Sequence, residues 1–180
     1  PAIDRLAREG MRFDGFTCAN SICSPSRASI LTGQYSHKNG VTGLNGSIKE
    51  DSPQYPVELS KAGYQTWLVG KWHLKSQPKG YGKHMVVKGQ GKYFNPTFNG
   101  SEGTWKREGY STDVYTDLAM DWLKKRDEKK PFLLCLQFKA PHHEYGHAAR
   151  YDDMLSGVTA PEPPSLYEDV RNSNSNLKKE

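Results

Sequence analysis

The chain has no apolar run approaching the roughly 20 residues that cross a bilayer, and no stretch within it reads as a secretory leader. The sequence therefore predicts no membrane span. Cysteine is scarce: three residues cannot all pair within the chain, and no CxxC or zinc spacing occurs. That excludes a disulfide framework and a zinc finger. Internal repeats are absent, which excludes a solenoid. A strong excess of one charge is also lacking. Net charge is +5 and the pI is near 9.0, mild for a nucleic-acid binder. In Lys124-Lys125-Arg126-Asp127-Glu128-Lys129-Lys130 the signs alternate, as on a solvated helix end. A mildly basic surface attracts sulfated or carboxylated glycans equally well.

The 180 residues, 35% hydrophobic and 25% charged, suit one globular unit. Residues 1–9 read as a helix with Ile3, Leu6 and Ala7 on one face, stopped by Gly10. Arg12 to Thr17 reads as a short strand. Ser24 is placed to cap a helix that starts at Pro25, where a missing N–H costs nothing, and ends at Gly33. Cys23 then lies at a helix N-terminus, where partial positive charge favours an anion. Val57, Leu59 and Ala62 suit another helix, ending near Gly63. Gln65 to Val69 reads as a strand and 78–109 as irregular loop. Tyr115, Leu118, Ala119, Trp122 and Leu123 form an amphipathic stripe. Phe132 to Phe138 reads as a buried strand, with Cys135 a buried thiol. Cys18 carries no signal. This alternation predicts an α/β fold. From Tyr151 the chain reads as loop, and Asn172 to Glu180 has little to bury.

Three short blocks carry chemistry. The first is Cys23-Ser24-Pro25-Ser26-Arg27-Ala28-Ser29-Ile30-Leu31-Thr32-Gly33. Cys23 alone would be an ordinary thiol, or a thiol nucleophile activated at a helix end. The second, Gly70-Lys71-Trp72-His73-Leu74, follows a strand, a common place for active-site residues in α/β proteins. Lys71 and His73, two apart, converge if the chain is extended there. The third, Lys139-Ala140-Pro141-His142-His143-Glu144, follows the second strand.

Together these blocks resemble the sulfatase family. The resemblance implies a partial alkaline-phosphatase-like sulfatase domain, with a central mixed sheet flanked by helices. It implies that Cys23, within the Cys-x-Pro-x-Arg core of Cys23, Pro25 and Arg27, is oxidised to formylglycine. The implied partner is a formylglycine-generating or an anaerobic sulfatase-maturating enzyme. One oxygen of the hydrated aldehyde attacks sulfur. The other hydroxyl then loses its proton and expels sulfate, an exit that a serine ester lacks. By the same resemblance Arg27 holds the diol, Lys71 binds sulfate, and His73 deprotonates the diol. His142 protonates the leaving oxygen and Lys139 adds to sulfate binding. His143 either touches the sugar or has a core or surface role. His147 is given no chemical role.

The resemblance also implies Ca2+, with the modified Cys23 among its contacts. The aspartate pair and the later Asp with Asn or His that hold it in the family have no counterpart. Asp51, Asp152 and Asp153 stand in other contexts, the last two as solvated loop residues. The resemblance therefore implies that residues 1–180 are the front-central part of a catalytic domain. They would lack its N-terminal metal-binding strand and its C-terminal portion. As an isolated polypeptide they are expected to fold poorly and turn over sulfate esters weakly or not at all.

A narrower likeness concerns substrate. Gly89-Gln90-Gly91-Lys92-Tyr93-Phe94-Asn95-Pro96, Ala149-Arg150-Tyr151 and Val158-Thr159-Ala160-Pro161-Glu162-Pro163 resemble bacterial N-acetylglucosamine-6-sulfatases. The implied substrate is a sulfated glycan bearing a glucosamine 6-O-sulfate, met in the periplasm or outside the cell. Gly80-Tyr81-Gly82 departs from the Gly-Phe-Asp common in that group. Tyr93, Phe94 and Trp105 either stack on a sugar or pack the long loop. A noncatalytic sulfated-glycan-binding fragment and a broader arylsulfatase remain the alternatives.

Overall fold

The computed structural model of the chain describes residues 2–167. Pro1–Gly146 form one compact unit and His147–Glu180 a second. In chain order the first unit holds α1 (Ala2–Glu9), α2 (Cys23–Thr32), α3 (Ser36–Asn39), α4 (Tyr55–Lys61) and β1 (Gln65–Lys71). There follow β2 (Lys83–Val87), β3 (Thr97–Gly100), β4 (Gly103–Lys106), α5 (Ser111–Lys125) and β5 (Phe132–Gln137).

The five strands form one mixed sheet in the order β4-β3-β2-β1-β5. β1 pairs in parallel with both β2 and β5, and β2-β3-β4 is an antiparallel run. The mixed sheet agrees with the expectation. β1 lies between β2 and β5 and is buried from Thr66 to Lys71, because successive side chains feed opposite cores. Leu68 joins Ala28 and Leu31 of α2, Val41, Ile48, Val86 and Cys135 on one face. Trp67 and Val69 join Met85, Val87, Phe98, Tyr115 and Ala119 on the other, under α5. Both parallel neighbours end beside Lys71, so the C-terminal ends of β1, β2 and β5 converge, the usual position for chemistry in open α/β sheets.

Several expectations need correction. Residues 12–17 form no strand; they have no pairing partner, and Phe13 and Phe16 are exposed. The helix expected to start at Pro25 starts at Cys23, with Ile22 at its N-cap and no side-chain cap. Ser24 lies inside the first turn, and its hydroxyl donates to the His73 carbonyl at 2.6 Å. Gly33 does end α2, at φ 65°, with its N–H on the Ser29 carbonyl. The stretch 78–109, read as loop, contains β2, β3 and β4. α1 forms, but it buries no residue.

In the second unit the described part is a series of turns with short 3-10 segments at Ala149–Tyr151 and Pro164–Tyr167. Asp152 is exposed and pairs with His147 at 3.0 Å. The expectation for Asn172 to Glu180 lies outside the described residues. Among the described residues no helix is long and apolar enough to cross a membrane.

Candidate active site

The site is built where α2 begins and β1 ends. Cys23 is the first residue of α2 and half-buried. Lys71, the last residue of β1, is buried, and its Nζ lies 3.5 Å from Cys23 Sγ. Burial pushes the Lys71 ammonium below its ordinary pKa. Cys23 opposes that shift, while Arg27 and Lys139 add to it.

Arg27 stands one turn after Cys23. Its Nη1 donates to the Lys71 carbonyl at 2.5 Å and to Gln137 Oε1 at 2.6 Å. One guanidinium thus ties α2 to the ends of β1 and β5. Burial lowers its pKa, and nearby Cys23 works against that. Arg27 and Cys23 line the same open cavity, with Gln137 and Phe138. Arg27 is therefore a structural clamp as well as a neighbour of the nucleophile position.

His73 sits two residues past Lys71 at φ 53°, a rare backbone state outside glycine. The Ser24 bond to its carbonyl fixes that turn. Burial, then the charges of Lys71, Arg27 and His142, hold its imidazole below the ordinary histidine range. The neutral ring is the form that accepts a proton. An NMR titration should place the His73 midpoint below 6.5, its ordinary value. The unfolded chain then binds the proton first as pH falls, so stability is full above about 6.5 and declines below it. Urea melts across the acid range check that sign; a rise in stability on acidification would contradict it. His84, also depressed by burial, adds in the same direction.

The third block lies after β5. His142 is half-buried, and its Nδ1 is 3.3 Å from the His143 carbonyl. A carbonyl only accepts, so that contact puts the proton on Nδ1 and leaves Nε2 for chemistry. Lys139 is buried. Its Nζ is held 3.4 Å from Glu144 and 4.8 Å from the centre of the Tyr93 ring. His143 is exposed and stacks edgewise on Tyr145.

The fold thus brings Cys23, Arg27 and Lys71 into direct contact. His73 and His142 share one electrostatic environment with them, Lys139 stands behind as a fixed charge, and His143 faces outward.

Sequence reasoning missed the brace on these groups. Gln90 Oε1 accepts a short hydrogen bond from Lys71 Nζ. Tyr93 is buried; its hydroxyl donates to the His142 carbonyl at 2.6 Å. It is therefore not a sugar platform, and its ring supports Lys139. Gly91, at φ 69°, shapes the loop, since a Cβ there would stand 2.7 Å from Val87 Cγ2. Trp105 is likewise removed from the site. It lies on β4 beside Trp67 and Lys83, at the opposite ends of the parallel strands. The missing signal was β2 itself: once a strand ends at Val87, its next loop must approach Lys71. Gln90→Met keeps the shape but removes the acceptor. It should lower kcat/KM about tenfold, the size of one charge-assisted bond, with Gln90→Glu restoring much of the loss.

The described residues hold no group of three or more His, Cys, Asp or Glu side chains able to cradle a metal ion. Calcium takes six to eight oxygens, whereas the charged groups in contact around Cys23 are Lys71 and Arg27. These residues alone do not fit a calcium cage.

A candidate nucleophile at a helix start, faced by fixed cations at strand ends, suits hydrolysis of an anionic ester. The chain belongs to the sulfatase family, whose model matches residues 1–176. It is 40% identical over 172 residues to an N-acetylglucosamine-6-O-sulfatase of Bacteroides thetaiotaomicron, covering 94% of this chain and 31% of that protein. The human N-acetylglucosamine-6-sulfatase is 30% identical over 198 residues, covering 96% of this chain and 34% of its own. A solved structure in complex with its substrate D-glucosamine-2-N,6-O-disulfate superposes with a TM-score of 0.89 at 40% identity. That match covers 94% of this chain and 35% of the other. The chain thus spans about a third of the length of these relatives. The alkaline-phosphatase-like sulfatase architecture agrees with the expected fold.

Proposed function

We propose that the protein carrying this chain is a sulfuric ester hydrolase that removes the 6-O-sulfate from glucosamine units of a sulfated glycan. The observation that carries this reading is the 3.5 Å contact between Lys71 Nζ and Cys23 Sγ, within the Cys23–Pro25–Arg27 motif. The names of the relatives support the substrate: two are N-acetylglucosamine 6-sulfatases, and the similar solved structure holds D-glucosamine-2-N,6-O-disulfate as its substrate.

Cys23 fits the modification in position. It is half-buried, starts a helix and carries no disulfide. A formylglycine-generating or anaerobic maturating enzyme is the partner that would oxidise it. Hydrated formylglycine at position 23 supplies an oxygen nucleophile with a built-in route for releasing sulfate.

The remaining chemistry belongs to the surrounding side chains. Lys71 holds the sulfuryl oxygens and offsets the charge that develops on them. Arg27 keeps Lys71 in place through its carbonyl. His142, when also protonated at Nε2, gives that proton to the leaving sugar oxygen, and neutral His73 takes one from position 23. Lys139 contributes a fixed positive field, and His143, outside this cluster, is left for contact with the sugar. The protein works in the periplasm or outside the cell, where such glycans are met.

Matched 6-O-, 2-O- and N-sulfated saccharides test the reading in the matured protein. Turnover should favour the 6-O-sulfate. Equal rates on all three would point instead to a broad arylsulfatase-like activity, and binding without any turnover to a glycan-binding role.

A further inference from the structure

A second cavity opens beside His73, with a volume of about 560 Å³, inside the range of small-molecule sites. Its lining residues include Lys75, Lys88, Asn45 and Asn99, and no Asp or Glu. Asn99 Oδ1 already accepts from Thr104 Oγ1 at 3.0 Å, so its NH2 is the end left to donate. Two lining residues, His73 and Ser76, each carry a buried side-chain atom, Nδ1 and Oγ, without a hydrogen-bond partner. Buried polar atoms ordinarily have partners. The cavity thus offers cations and amides, with no fixed negative charge.

Position adds to composition. His73 is among the lining residues, while its carbonyl is held by Ser24, the residue after Cys23. Lys88 directly follows β2, whose next loop carries Gln90 onto Lys71. Cavity and reaction centre therefore share His73 and one loop.

We propose that this cavity is a second anion subsite. It takes a further acidic substituent, sulfo or carboxylate, on the glycan whose sulfate ester faces Cys23. The inference rests on the sulfatase reading above and extends it from one charge on the substrate to two. Lys75 and Lys88 are the recognising charges. The substituent lies either on the same sugar or on its neighbour.

Three sugars decide the matter in the matured protein. One is N-acetylglucosamine 6-O-sulfate, with a single anion. One is glucosamine-2-N,6-O-disulfate, with a second sulfo group on the same ring. The third is a 6-O-sulfated glucosamine joined to a hexuronic acid. Wild type should favour a doubly charged sugar over the singly charged one by about tenfold or more in kcat/KM, the worth of one good charge-assisted contact. In Lys75→Met/Lys88→Met that ratio should collapse toward one. Preference for the disulfate alone assigns a sulfo group on the same ring; preference for the uronate alone assigns a neighbouring carboxylate. No preference in wild type, or an unchanged ratio in the double variant, overturns the subsite.

Should wild type hydrolyse none of the three, the sulfatase reading fails and calorimetry on the unconverted cysteine form takes over. The subsite then requires that the double variant bind the disulfate about tenfold more weakly, and equal affinities overturn it. Both lysines are exposed, so the double variant tests charge with little cost to folding.

Discussion

Cys23→Ala should reduce sulfate-ester turnover by about four to six orders of magnitude, the scale of loss when a covalent nucleophile is removed. Stability should change by no more than about 1 kcal/mol. The reasons lie in the surroundings of the side chain. Cys23 is half-buried at the rim of an open cavity, and Lys71 is its one side-chain hydrogen-bond partner among the described residues. Alanine also suits a first-turn helix position. The fold around α2 depends instead on Ser24, Ala28 and Leu31, which are buried. The comparison is made on the whole protein co-expressed with a maturating enzyme, with kcat/KM and the thermal midpoint read on the same samples. Peptide mass spectrometry of the wild type confirms conversion of Cys23 before any rate is compared. A loss of less than a hundredfold would mean that position 23 is not the nucleophile. Lys71→Ala should cost about 10²–10³-fold, as expected for a group that stabilises charge without forming the bond. The ordering of the two variants is therefore diagnostic: a nucleophile must cost more than its electrostatic partner.

The parts of this site that could be read from sequence are those fixed by local chemistry. Pro25 marks the first turn of α2 and Gly33 its end, because one favours a helix start and the other a left-handed stop. β1 and β5 announced themselves as apolar runs, since each is packed between two layers. What escaped reading depends on partners distant in sequence. β3 and β4 have four residues each and owe their pairing to each other and to β2. Their glycines looked like loop markers. In fact a Cβ on Gly100 would stand 2.3 Å from the His84 carbonyl oxygen, so glycine is what allows the strands to close. Ser24 looked like a cap because its type favours that role. It serves instead as a tie to His73, 49 residues away, which no local pattern encodes. Gln90 and Tyr93 were hidden for the same reason. Arg27 was legible as a site residue through its motif, but its clamp on Lys71 and Gln137 needed the folded chain.

Gly70→Ala should be the most damaging substitution in the sheet, costing upward of about 4 kcal/mol, a large fraction of the stability of an ordinary domain. Gly70 precedes Lys71 on β1 and pairs with Gln137 on β5. Its φ is 109°, a region that L side chains rarely adopt. A Cβ there would lie 2.0 Å from the Gln137 carbonyl oxygen and 3.2 Å from Tyr115 Cδ2. Backbone cannot yield as the end of a lysine can, so β1 and β5 must part. Their separation pulls on Gln137, whose side chain receives Arg27, and on the Lys71 carbonyl, which Arg27 also holds. Folding and site geometry should therefore fail together. Gly33→Ala is the control: its φ is also positive, at 65°, but nothing lies within 4 Å of the added Cβ. It should cost about 1–2 kcal/mol, the conformational term alone. Urea melts of the two variants measure the difference, with soluble yield as a second reading if Gly70→Ala does not fold. A Gly70→Ala protein as stable as Gly33→Ala would show that the β1–β5 contact relaxes, and the rigid placement of Lys71 against Cys23 would go with it.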